Sequence, residues 1–108
     1  MTNSLQTEIQ QIQASLIKVD EAIKARDFLT GEKASQELGF LGHLISKPTL
    51  EAVMEALIWA QRTLTTIRDQ QNDSYMANQI DLNALVDEWQ KHLDIAKRAL
   101  QNCHIQAP

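Results

Sequence analysis

Few residues in this chain could do chemistry, and their spacing settles most of what they can do. Cys103 and His104 place a nucleophile beside a base. Neighbouring helical residues point roughly 100° apart, so the two do not face each other as a hydrogen-bonded catalytic pair must. Cys103 also completes an apolar stripe, which reads as a buried, inert thiol. Metal sites in helical bundles draw on Glu-x-x-His pairs from facing helices. Here Glu51, Glu55 and Glu88 are followed three residues later by Met54, Ile58 and Lys91. Glu88 and His92, four apart, therefore read as a solvated surface contact. His43 lies in the apolar stretch Phe40 to Ile45 and reads as a partly buried or rim histidine. Gly31-Glu32-Lys33 lacks the upstream glycine and the following Ser or Thr of a phosphate-cradling loop. The pairs Asp20/Glu21 and Asp87/Glu88 fall on charged arcs with no cleft implied. No catalytic residue, metal ligand or cofactor is expected, and the chain does not read as an enzyme.

The elements that carry these residues are far clearer. Four stretches place apolar residues at steps of three and four, the spacing of one helical stripe. The first is Leu5, Ile9, Ile12, Leu16, Val19, Ile23; the second is Ala34, Leu38, Leu41, Ile45. The third is Leu50, Val53, Leu57, Ala60, Leu64, Ile67, and the fourth runs Leu82, Val86, Trp89, Leu93, Ala96, Leu100, Cys103. An average step of 3.5 is the seam of a coiled coil or bundle. The fold class expected is all-α, an antiparallel bundle of three to four helices over approximately 4–26, 32–46, 49–72 and 81–103.

Boundaries follow from local chemistry. Asn3 or Ser4 can cap the first helix, and Asp27 or Thr30 the second, with Gly31 weakening the break between them. Gly39 and Gly42 read either as a softened last turn or as a notch for a close backbone. Pro48 closes the second segment, Thr49 caps the third and Asp81 caps the fourth. The polar run Gln70 to Ser74 is the expected loop. Tyr75, Met76 and Ile80 suggest that part of the stretch beyond Ser74 is packed, so 72–80 stays open between loop and helix.

Composition narrows the functional class. The chain has 108 residues and a net charge of −4, so a single domain over 1–108 is expected. Neither half is basic, which argues against a phosphate-contacting surface. One cysteine excludes an internal disulfide framework, and MTNSLQTEIQQ has neither the basic nor the apolar region of a secretory signal. The longest apolar run, Ala56 to Ala60, falls far short of the roughly 20 residues that span a bilayer. A cytoplasmic protein is expected.

Residues Ile9 to Ile45 resemble the amino-terminal helical hairpin of small flagellar and type III export chaperones. The matching residues are Ala22-Ile23-x-x-Arg26-Asp27-Phe28, then Lys33 and the stripe Leu38, Leu41, Ile45. The family's members are also short, acidic and nearly free of cysteine. The resemblance covers about a third of the chain and implies binding an export substrate helix against helix. Ala34-Ser35-x-x-Leu38-Gly39-Phe40 with Pro48-Thr49-Leu50 is similar to repressor-type helix-turn-helix domains. The segment after Gly39 has no Arg, Lys, Asn or Gln to read bases, so nucleic-acid binding is not favoured.

Extra apolar residues decide the leading expectation. Phe40, Leu44, Met54, Ile58 and Trp59 lie off the main seams, on segments two and three. They belong either to a broad core or to a groove for a partner's amphipathic helix. The expectation is a non-enzymatic interaction module, a chaperone or adaptor binding through these five residues. A self-assembling homodimer is the first alternative, and a helix-turn-helix-like regulator the second.

Overall fold

Asp27 fixes the first turn of the chain. Its carboxylate accepts hydrogen bonds from the Thr30 backbone N–H and hydroxyl at 3.2 and 2.7 Å. That is an N-cap, and it starts the second helix at Phe28 rather than at 32. The computed structural model describes residues 4–106. Among the described residues, five helices make up the fold: α1 (Ser4–Ala25), α2 (Phe28–Leu38), α3 (Lys47–Gln71), α4 (Tyr75–Asn78) and α5 (Leu82–Gln106). The fold is all-α, and no strand occurs among the described residues. No helix among them is long and apolar enough to cross a membrane.

The connections give the topology. Gln71 donates to the Arg26 carbonyl at 2.8 Å, so α1 and α3 end together. Gly31, early in α2, packs against Ala22 late in α1 and Leu64 late in α3, so α2 runs opposite to both. Trp89, early in α5, bonds Asp20 late in α1. The result is an up-down-up-down bundle measuring 52 × 21 × 18 Å. Helix α2 spans only 11 residues, and the irregular segment 39–46 completes its column, with Ile45 entering the core.

The four seams converge on one apolar core. Ile12, Leu16, Val19 and Ile23 of α1 meet Ala34 and Leu38 of α2, Val53, Leu57, Leu64 and Ile67 of α3, and Leu93 and Leu100 of α5. Trp89 is the largest wholly buried side chain. Its indole N–H donates to Asp20 at 3.0 Å, satisfying a donor that would otherwise be desolvated. At Gly31 α2 comes close to α3, since a Cβ there would stand 2.5 Å from Leu64 Cδ2. Sequence reading treats this glycine as a weak point, whereas it sits in the packed interior.

Several boundaries move for identifiable reasons. The second helix ends at Leu38, not 46, and Gly39 forms its C-cap. Gly42 then takes φ +100°, outside helical geometry, and packs under Leu50. Glu8 provides the replacement hydrogen bonds, accepting from the backbone N–H of Leu44 at 2.8 Å and His43 at 3.1 Å. His43 is thus anchored through its main chain while the residue is exposed, not at a partly buried rim. Helix α3 begins at Lys47 with Ser46 as cap, because Pro48 sits in the first turn, where its missing N–H costs nothing. Thr49 instead hydrogen-bonds Ser46 through their hydroxyls at 2.8 Å. Asp81 caps α5 as expected, accepting from Asn83 and Ala84. Residues 72–74 form a turn and 75–78 the short α4, in which Ala77 is buried. Tyr75 and Met76, expected to be packed, are exposed. Asn3 lies outside the described residues.

Candidate partner-binding surface

Helix α3 has two chemically distinct faces. Val53, Ala56, Leu57, Ala60, Leu64 and Ile67 point into the core. On the outward side, Met54 and Ile58 stand one turn apart and remain 45% and 44% exposed. The steps 54, 58, 62, 65 and 69 continue that side as a stripe through Arg62, Thr65 and Asp69. Between this stripe and the start of α5 runs an open groove of about 500 Å³. Ile58, Ile80 and Leu85 provide its apolar walls, while Arg62 and Asp69 mark its polar edge.

A second groove lies on the other flank of α3, against α2. Phe28 and Leu64 line it, together with Ser35. The Ser35 hydroxyl is buried there without a hydrogen-bond partner. Gln61 and Thr65 border both grooves, so they form the ridge between them.

The five expected contact residues separate into three settings. Met54 and Ile58 are brought together on the outward edge of α3. Phe40 and Leu44 belong to segment 39–46 and are 79% and 53% exposed. Trp59 turns toward α5, where its ring stacks on His92 at 5.6 Å with the planes 12° apart. The Arg62 guanidinium lies 5.0 Å from the Trp59 ring centre, in cation–π range. Trp59 is therefore half-buried and engaged within the chain. Ile80 and Leu85 are not among the five expected residues, yet both line the groove. Ile80 falls outside every seam and is exposed.

Segment 39–46 is positioned by electrostatics. Glu8 is 8% exposed, and burial alone pushes its carboxyl upward. The backbone N–H groups of Leu44, His43, Gly42 and Ile45 outweigh that effect and hold its pKa below the ordinary value. Asp20 follows the same pattern. Burial opposes its charge, but Lys24, Trp89 and Gln90 win and hold its pKa low. The Lys24 ammonium lies 2.9 Å from Asp20.

Cys103 is buried, and the His104 side chain lies outside the described residues. Glu88 and His92 approach to 3.6 Å, with His92 mostly covered by its stacking on Trp59. Among the described residues, no three His, Cys, Asp or Glu gather in a metal-holding group. Compared with protein families, curated proteins and solved structures, the chain matches none.

Proposed function

We propose that this chain is a non-enzymatic protein–protein interaction module that binds an amphipathic partner helix along the outward face of α3. One observation carries the reading: Ile58 lines a groove walled by Ile80 and Leu85, and Met54 lies exposed one turn before it on the same long, packed helix. A rigid apolar edge beside a groove is the geometry of helix-in-groove recognition. Burying a large apolar side chain contributes roughly 1.5–3 kcal/mol, so three or four such contacts offset much of the cost of association. Phe40 and Leu44, exposed on segment 39–46, offer further apolar contact.

The finer form of the proposal is a cytoplasmic export chaperone or adaptor. The helical hairpin α1–α2, turning at Arg26-Asp27, supports it over residues 9–38, while Leu41 and Ile45 of the resembling stripe lie beyond the helix.

The test uses a photo-crosslinking residue at Ile58, introduced in the native cell, with Lys18 on α1 as control site. A partner protein is expected to crosslink at Ile58 and not at Lys18. Met54→Asp with Ile58→Asp should abolish capture of the same partner through a crosslinker at Thr65, while circular dichroism stays helical. Unfolding of that double variant would place both residues in the core and overturn the proposal.

A further inference from the structure

The outward stripe of α3 has an order that selects its occupant. From the helix start it reads apolar (Met54, Ile58), cationic (Arg62), small (Thr65) and anionic (Asp69). Past the end of the helix, α4 exposes Tyr75 and Met76 at 76% and 74%. Arg62 and Asp69 stand seven residues apart, about 10 Å along the axis. A partner helix that suits this face must carry an acid opposite Arg62, a base opposite Asp69 and apolar groups beyond both.

Helix α3 itself meets that specification when it is turned around. Resting on the reading of this face as a protein-binding surface, we propose that its occupant is α3 of a second copy of this chain. The two helices run antiparallel about a twofold axis beside Thr65. This operation sets Arg62 of each copy across from Asp69 of the other, so both charges are answered twice. Parallel pairing would instead oppose Arg62 to Arg62. The small Thr65 side chain at the axis lets the helices approach to the usual 8–10 Å. Ile58 then lies level with the turn that follows α3 in the second copy, next to that copy's exposed Tyr75 and Met76. Arg62 is prepared for this role: its stacking on Trp59 orients the guanidinium, and no ion pair within the described residues occupies it. Asp69 is held by Arg68 through Oδ1 at 2.9 Å, at the surface.

Sedimentation equilibrium of the full chain from micromolar to millimolar concentration tests the pairing. A reversible dimer is expected. Arg62→Asp and Asp69→Arg should each weaken it roughly tenfold, since each opposes like charges twice. The double variant Arg62→Asp/Asp69→Arg should restore it. Thr65→Cys should oxidise to a disulfide-linked dimer, whereas Lys18→Cys should not. A monomer at every concentration overturns the inference, as does a dimer that is indifferent to both charge reversals and gives no Thr65→Cys crosslink. If the chain is monomeric yet the crosslinker at Ile58 captures a different protein, only the choice of a second copy fails. If neither occurs, the reading of the α3 face fails with it.

Discussion

Glu8 shows how one side chain sets the course of a distant segment. Its carboxylate reaches residues 43 and 44 and supplies acceptors where the helix has stopped. Glu8→Ala would leave those N–H groups without their charged acceptor while hardly changing helix propensity. A loss of about 2–3 kcal/mol is expected in urea unfolding. Ser35 represents the opposite case, a buried hydroxyl with no partner. Ser35→Ala removes a desolvated polar group and improves the helix, so stability should hold or rise by up to about 1 kcal/mol. Neither role is legible in the sequence, because both depend on contacts between residues far apart along the chain. The buried state of Cys103 is legible, since its place on the α5 stripe is a local property.

At the scale of elements, the seams are the readable part. Heptad-like spacing registers burial turn by turn, and the core residues of α1, α3 and α5 fall on it except Ala56, which is buried beside the α3 seam. Helix ends are harder, because caps compete within a few residues. Ser46, Pro48 and Thr49 could each begin α3, and only the packing of the first turn decides among them. The spacing misplaces the end of α2 because Leu41 and Ile45 continue a helical period although the backbone has left the helix. Ile45 is buried from a non-helical segment, so its periodicity is coincidental. Gly42→Ala tests that segment. With φ +100° and Leu50 Cδ1 2.7 Å from the added Cβ, the variant should lose roughly 1–3 kcal/mol. Asp73 also adopts a left-handed conformation, with φ 58°, after α3. Asp73→Gly relieves that strain but gives up the bond the Asp73 carboxylate accepts from the Asn78 side chain at 3.1 Å, so the melting temperature should change little, by less than about 1 kcal/mol of stability.

For the whole molecule, two carboxylates add polar links between elements to the shared apolar core. Asp20 links α1 to α5, and Glu8 links α1 to segment 39–46. Both have pKa values lowered on folding. A lowered folded-state pKa contributes stability that is present above the unfolded value, near 4, and lost as pH falls through the folded one. Stability should therefore be level with respect to these groups near neutrality and decline below about pH 4. Denaturant titrations across that range should show a smaller decline in Asp20→Asn than in the wild type. The candidate surface is only half legible at this scale. Off-seam positions identify Met54 and Ile58 as apolar residues outside the main stripe. Whether each such residue faces solvent or a neighbouring helix is decided by the angles at which helices meet, and so Trp59 goes to His92 instead.

The bond between Glu8 and segment 39–46 also makes an irregular stretch report on the bundle. Amide protons in such stretches ordinarily exchange with solvent within moments of mixing into heavy water. Those of His43 and Leu44 are held by a carboxylate on another helix, so they exchange only when α1 lifts away from this segment. Their protection factors should match those of the α1 interior. Slow exchange at these two amides would thus time how often the first helix leaves its place.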